Sequence, residues 1–129
     1  MDNEDLERRS EKIRTDAQFK ELRQILDNAK NQSDGWKNIL SAIDPSEIVD
    51  KKSLEKLPII RKASLSLLQN EKPPLGDLTT IPINQFKNLF VSPGPIYEPG
   101  GHNDFWRMSR AMRAASFSKG DIVYNTFAY

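Results

Sequence analysis

Cysteine is absent from this sequence of 129 residues, and histidine occurs once. The absence of cysteine excludes disulfide bonds, thiolate zinc sites and a cysteine nucleophile. A single histidine leaves only scattered carboxylates as metal ligands, so no metal site is predicted. No serine stands in a nucleophile-elbow context, and the sequence therefore indicates no Ser-His-acid set.

An excess of charge of one sign and a long apolar run are also missing. The formal net charge is +1, which excludes the strong positive field typical of proteins that bind nucleic acid or anionic membranes. No apolar run approaches the roughly 20 residues that span a bilayer, and the charged N-terminus has no apolar signal core. We therefore expect a cytoplasmic protein with no nucleic-acid and no membrane partner.

Apolar residues at helical spacing characterise the first half of the chain. Leu22, Ile25, Leu26 and Ala29 form a stripe that predicts a helix over residues 3–30. The turn cluster at residues 31–35 ends it, and shorter helices are predicted from Trp36 to residue 70. Residues 1–70 are thus interpreted as a helical N-terminal layer.

Proline then becomes frequent, and residues 71–85 are interpreted as a Pro-rich linker. A short buried strand is predicted over residues 86–91, an amphipathic helix over 103–117 and a second strand from Ile122. A strand, a crossover helix and a strand of these lengths imply a right-handed parallel unit. The predicted fold class is α/β, with residues 86–129 as the start of a nucleotide-binding sheet that continues past the last residue.

The loop at residues 91–101, VSPGPIYEPGG, lies between the predicted strand and the predicted helix. This order is that of an α/β phosphate-binding site. The groups predicted to bind a nucleotide cofactor are the Ser92 hydroxyl and the amides of Gly94, Gly100 and Gly101. The prolines of the loop carry no amide donor, and Glu98 would repel phosphate, so the predicted phosphate site is a divergent one.

Three residues near the end of the second predicted strand are candidate substrate contacts: Tyr124, Asn125 and Tyr129. Open α/β sheets bind ligands at the carboxyl ends of their strands, which places these side chains at a predicted ligand site. His102 is interpreted as a surface turn residue in preference to an anion ligand, because it has no carboxylate partner in the sequence.

Three sequence blocks carry a resemblance to a known family: SPGPIYEP at residues 92–99, DFWR at 104–107 and KGDIVYNTFAY at 119–129. With a weaker block at 57–65, they resemble the phenylacetate–CoA ligase-like branch of the acyl-adenylate-forming enzymes, the AMP-dependent synthetase/ligase superfamily. The resemblance implies ATP, Mg²⁺ and coenzyme A as cofactors and a small carboxylic acid as substrate. It also implies two steps, in which an acyl-adenylate forms and the coenzyme A thiol then displaces AMP.

By this resemblance the chain is the front fragment of an adenylation domain, and its main partner is the rest of its own polypeptide beyond Tyr129. The family's catalytic motifs fall outside these residues, so the fragment is expected to be inactive alone. Two alternatives stay open at this stage: a non-catalytic helical interaction module and a small anion-binding domain.

Overall fold

The computed structural model describes residues 6–126. Five α-helices and two short strands in this range position the candidate site. They are α1 (Glu11–Gln32), α2 (Asp34–Ile39), α3 (Lys51–Leu54), α4 (Lys62–Glu71), β1 (Asn88–Val91), β2 (Tyr97–Gly100) and α5 (Met108–Ala114). Short 3-10 turns occupy Pro45–Glu47 and Ile83–Gln85.

Helix α1 confirms the main helix predicted for the first half of the chain. It begins after Ser10, whose hydroxyl accepts a hydrogen bond from the Ile13 N–H at 3.4 Å, as an N-cap residue does. It ends at Ser33, whose extended backbone breaks the helix and whose hydroxyl caps α2 by accepting from the Trp36 N–H at 3.2 Å. Residues 3–5 of the predicted helix lie outside the described part of the chain.

The core lies between α1 and the segment that follows it. Its buried members are Phe19, Leu26, Ala29, Leu40 and Ile48. Leu22, Trp36, Ile39, Ile43 and Leu57 pack around them and are partly buried. Lys30 also joins these layers, because its ammonium group donates a 2.6 Å hydrogen bond to the Ile43 carbonyl. Leu26 and Ala29 of the apolar stripe are buried in the core and Leu22 packs against it, whereas Ile25 is 58% exposed.

The predicted Pro-rich linker contains a turn that is anchored to the start of α2. The Asp77 carbonyl accepts hydrogen bonds from the Ser33 hydroxyl and from the Gly35 N–H, the latter at 3.1 Å. The Trp36 indole N–H donates to the Leu78 carbonyl at 2.8 Å. A Cβ atom at Gly35 would lie 2.6 Å from the Asp77 oxygen, so this close approach requires glycine. The turn at residues 76–78 is thereby fixed to the helical layer.

The sheet differs from the prediction. Strands β1 and β2 pair antiparallel, with Asn88 opposite Gly100 and Val91 opposite Tyr97. β1 occupies residues 88–91 of the strand predicted over 86–91, but the predicted loop over residues 91–101 contains β2 in its second half. A connection as short as residues 92–96 permits only antiparallel pairing, because a parallel crossover needs a dozen or more residues. β1 is also exposed rather than buried, since no further layer of the described chain covers it.

The predicted parallel strand-helix-strand unit is not formed within residues 6–126. Residues 121–126 have no regular structure, and Ile122 and Tyr124 are 99% and 88% exposed. A strand requires a neighbouring strand, and the two-stranded sheet of the described residues does not include this segment. Residues 127–129, the rest of the predicted strand, lie outside the described part.

The predicted helix over residues 103–117 is present only as α5, because left-handed backbone bounds it on both sides. Asn103 and Arg107 have φ values of 58° and 56°, and Ser116 follows the helix with a φ of 67°. Arg107 is therefore the N-cap residue of α5. Gly120 lies in the turn before residue 121 and has a φ of 103°, which suits glycine. No helix within residues 6–126 is both long and apolar enough to cross a membrane.

Candidate functional site

The connection between β1 and β2, Ser92–Ile96, contains half of the predicted phosphate-binding groups. Ser92 closes this hairpin tip through its N–H, which donates to the Ile96 carbonyl at 3.0 Å. Its hydroxyl accepts a 3.3 Å hydrogen bond from the Ile96 N–H. The Ser92 hydroxyl that the sequence assigned to a cofactor is thus already engaged with the backbone of the tip.

Gly94 lies at the exposed apex of the tip between Pro93 and Pro95. Neither proline carries an N–H, so Gly94 supplies the one amide of residues 92–96 that has no acceptor. An added Cβ atom at Gly94 would meet no atom within 4 Å, and its φ is not positive. Neither packing nor the backbone conformation therefore requires glycine at this position, and the space above it is open to a ligand.

Gly100 and Gly101 lie at the other end of β2 and have close neighbours. A Cβ atom at Gly100 would lie 3.0 Å from Phe90 Cε2. A Cβ atom at Gly101 would overlap the Phe105 ring, at 2.9 Å from its Cγ. These glycines thus allow two aromatic rings to pack on the backbone.

The four predicted cofactor-binding residues do not form one cradle. Ser92 and Gly94 lie in the tip, whereas Gly100 and Gly101 lie at the far end of β2. At about 3.3 Å per residue, the strand separates Ile96 from Gly100 by roughly 13 Å. The tip is the half that offers an open approach. Whether it binds phosphate stays a prediction.

Gln69 holds the hairpin to helix α4 in a way that the sequence did not indicate. Its side-chain amide donates to the Tyr97 carbonyl and accepts from the Tyr97 N–H, each at 2.8 Å. The Gln69 side chain is buried, at 7% exposure, whereas the apolar Leu67 of the same helix is 65% exposed. Polar burial of this kind leaves no periodic signal, so pattern reading missed it.

Two of the three predicted substrate contacts lie in the described part of the chain. Tyr124 is exposed, and Asn125 is exposed but makes an interaction of its own. Tyr129 lies outside the described part. A role for these side chains in substrate binding stays a prediction.

Carboxylates near the hairpin set its local charge. Glu98 lies in β2 opposite Phe90 and is exposed. The Ser109 hydroxyl and backbone N–H hydrogen-bond to Asp104, and they hold the pKa of that carboxyl below its usual value. Within residues 6–126, no group of three His, Cys, Asp or Glu side chains has the arrangement needed to hold a metal ion.

An apolar cleft of about 620 Å³ runs between α1 and residues 78–81. Ile25, Trp36 and Ile81 line it, and Phe86, Pro99 and Phe105 close its other wall. Because Pro99 belongs to β2, the cleft reaches the base of the hairpin. It offers apolar walls and few polar groups, which suits packing against another apolar segment better than catalysis.

Comparison with known proteins gives a fold relationship. No family model matches the chain, and no curated protein sequence matches it. Among solved structures, a 2-hydroxyisobutyryl-CoA ligase in the postadenylation state with R3-HIB-AMP has a TM-score of 0.70 at 20% identity, over 80% of this chain and 23% of the ligase. This chain has the fold of a segment of a CoA ligase.

Two further structures of 2-hydroxyisobutyryl-CoA ligase agree. One, with 2-HIB-AMP and CoA in the thioesterification state, has a TM-score of 0.67 at 19% identity, over 79% of this chain and 23% of the ligase. Another, with 2-HIB-AMP in the postadenylation state, has a TM-score of 0.64 at 21% identity, over 72% and 20%. The chain therefore spans about a fifth of the length of the ligase chains it matches. The resemblance to adenylate-forming ligases is confirmed at the level of fold.

Proposed function

We propose that this chain is the front part of an ATP-dependent acyl- or aryl-acid–CoA ligase of the phenylacetate–CoA ligase-like branch. The observation that carries the proposal is the fold match to a CoA ligase over 80% of the chain. The sequence blocks at residues 92–99 and 119–129 give separate support, because their resemblance to the family was read from the sequence alone. The first block covers the tip and most of β2, and the second follows α5 in the chain. ATP, coenzyme A and a cytoplasmic location are parts of the proposal.

In this proposal the hairpin tip faces the phosphates of ATP. The residues fit that role only in part, since Gly94 alone offers a free amide and the Ser92 hydroxyl is engaged with Ile96. When bound, ATP supplies the activated phosphorus that a carboxylate attacks. The tip would orient that group through the Gly94 N–H, while Glu98 opposes a close approach of phosphate charge.

Mg²⁺ is implied by the family but does not fit the described residues, which contain no suitable cluster of ligands. We therefore derive no role for this chain in holding the metal. The division into a helical layer (1–70), a linker (71–85) and a sheet segment (86–129) is part of the same proposal.

The parallel unit expected from the sequence also belongs to this proposal. β1 has one edge paired with β2, and its other edge is available to a further strand. Residues 122–126 include three β-branched residues and one tyrosine and are exposed. They are connected to β2 through α5, and this connection is long enough for a crossover. We propose that this segment pairs with β1 once the remaining polypeptide covers it, and that Tyr124, Asn125 and Tyr129 then line the acyl pocket.

Pyrophosphate release tests the fragment proposal directly. The chain of 129 residues, mixed with ATP, Mg²⁺ and an aryl or short acyl acid, is expected to release no pyrophosphate above the protein-free rate. A longer ligase polypeptide that contains this chain is expected to form an acyl-adenylate under the same conditions. Turnover by the short chain alone would overturn the fragment proposal.

Substitution at the tip tests its phosphate role in that longer polypeptide. Gly94→Ala adds a methyl group into open space, so stability should not change, whereas ATP affinity should fall because the methyl group obstructs the approach to the amide. Glu98→Ala should raise ATP affinity by removing a like charge. Glu55→Ala, an exposed change in the helical layer, serves as the control. Unchanged ATP affinity in both Gly94→Ala and Glu98→Ala would show that the hairpin has only a structural role.

A further inference from the structure

We propose that Gln69 is a positioning residue that closes the outer edge of β2 and thereby sets where the hairpin tip lies. The closed edge is argued from the geometry alone, whereas its consequence for nucleotide binding rests on the function proposed above. The observation is the pair of 2.8 Å hydrogen bonds between one buried side chain and both backbone groups of Tyr97.

The pairing pattern shows which edge Tyr97 faces. The Ser92 N–H donates to the Ile96 carbonyl, so Ser92 and Ile96 form a hydrogen-bonded pair. Along an antiparallel ladder, hydrogen-bonded pairs alternate with pairs that are not hydrogen-bonded to each other. The pair Phe90–Glu98 is therefore hydrogen-bonded across the sheet, whereas Tyr97 directs its N–H and C=O away from β1. Gln69 meets them there with one donor and one acceptor, as a residue of a third strand would.

The next outward-facing position of β2 is Pro99, which has no N–H to offer. An additional strand would thus find the Tyr97 groups occupied and the following donor missing. Proline and occupied backbone groups are recognised means by which proteins prevent strand addition at a sheet edge. The outer edge of β2 is closed, and the sheet can be extended only from β1.

Burial makes the pair of hydrogen bonds between Gln69 and Tyr97, here called the clamp, rigid. Gln69 is 7% exposed, and a buried amide that loses its partners is strongly disfavoured. Ile96, which joins Tyr97 to the tip, is also buried, at 5% exposure. Tyr97, Ile96 and Ser92 are connected by covalent and hydrogen bonds, so a fixed Tyr97 fixes the backbone that carries Gly94.

Amide hydrogen exchange at Tyr97, followed by NMR in the chain of 129 residues, tests the clamp. Gln69→Met keeps the side-chain volume but removes donor and acceptor, and exchange at Tyr97 should become about tenfold faster or more. The Trp36 indole proton, bonded to Leu78, is the internal control and should keep its protection.

Gln69→Glu provides a chemical rescue that a purely structural role would not show. A glutamate at this position accepts from the Tyr97 N–H but offers no donor to the Tyr97 carbonyl until it is protonated. Because burial raises the pKa of a carboxyl above the ordinary glutamate value of about 4.3, exchange at Tyr97, relative to Gln69→Met at the same pH, should slow again as pH falls through that raised pKa. Faster exchange in Gln69→Met together with this rescue supports the clamp.

Unchanged exchange at Tyr97 in Gln69→Met overturns the proposal. If the Met variant loses Trp36 protection as well, a second variant decides, namely Gln69→Asn, which keeps the amide but is one methylene shorter. Retained protection at Trp36 with lost protection at Tyr97 supports the clamp. Retained protection at both sites overturns it. Titration with ATP of a longer ligase polypeptide that contains this chain is a separate arm. If ATP does not bind, the nucleotide role of the tip fails while the Tyr97 result still decides the role of Gln69.

Discussion

Gly94, Gly100 and Gly101 look alike in the sequence, but the structure surrounds them differently. Gly94 faces open space, whereas the other two lie against the rings of Phe90 and Phe105. A glycine at a predicted phosphate site therefore has two distinct physical reasons to be there. One is the approach of a ligand to the backbone, and the other is the packing of an aromatic ring on it.

Gly101→Ala should destabilise the chain by about 1–3 kcal/mol, because the new methyl group overlaps the Phe105 ring and forces it to move. Urea unfolding followed by circular dichroism measures the change. Gly94→Ala is the matched control, since the same methyl group at that position meets no atom. Equal stability of both variants would contradict the packing at Gly101.

Asp50 makes folding sensitive to acid. Its carboxylate accepts hydrogen bonds from the Ser53 backbone N–H and the Ser53 hydroxyl, and these bonds lower its pKa from the ordinary 3.8. A lowered folded-state pKa contributes stability above the unfolded pKa, and this contribution is lost as pH falls through the folded value.

The melting temperature is therefore expected to fall as pH decreases below about 4, in the range where the free carboxyl takes up its proton. Asp50→Asn should flatten part of this decline, and melting followed by circular dichroism between pH 2 and pH 6 would show it. Asp16→Asn, which alters an exposed carboxylate on α1, is the control. An identical acid profile for wild type and Asp50→Asn would refute the role of this cap.

At the scale of elements, Ser33 joins three parts of the fold. It ends α1, caps α2 and donates to the Asp77 carbonyl of the turn at residues 76–78. This one buried side chain therefore couples the helical layer to the segment that leads to the sheet.

Ser33→Ala should destabilise the chain by about 1–2 kcal/mol, because it removes a helix cap together with a buried hydrogen bond. Urea unfolding followed by circular dichroism measures the change. The exposed Ser41→Ala is the control and should shift the free energy of unfolding by less than about 0.5 kcal/mol. A Ser33→Ala value as small as that of the control would contradict the coupling.

At the scale of the whole molecule, apolar surface is distributed unevenly. Most of the exposed large apolar side chains among residues 6–126 follow residue 80, including Phe90, Trp106 and Ile122. Large exposed apolar patches mark surfaces that contact another segment or partner. This distribution supports the proposal that the sheet segment packs against further polypeptide, and it disfavours a stand-alone module.

The chain of 129 residues is therefore expected to bind the dye 1-anilinonaphthalene-8-sulfonate under native conditions. Ile122→Ser and Tyr124→Ser should lower this dye fluorescence while changing the free energy of unfolding by less than about 0.5 kcal/mol, since both side chains are almost fully exposed. A chain that binds no dye and melts cooperatively as a monomer would favour the interaction-module alternative.

Local signals account for what pattern reading found. The stripe of Leu22, Ile25, Leu26 and Ala29 predicted α1, although Ile25 is exposed. β1 was found from its apolar residues. β2 was missed because Pro99 and Gly100 are typical of loops, and the strand exists only because β1 offers it a partner.

The sequence by itself determined the helical first half, the turns and the resemblance to adenylate-forming ligases, because helix periodicity, capping and motif blocks depend on residues close together in the chain. Tertiary structure alone decided the antiparallel hairpin, the Gln69 clamp and the separation of Gly94 from Gly101. Each of these depends on groups far apart in sequence, such as Gln69 and Tyr97. The hydrogen bonds and ring contacts between such groups form only when the chain has folded.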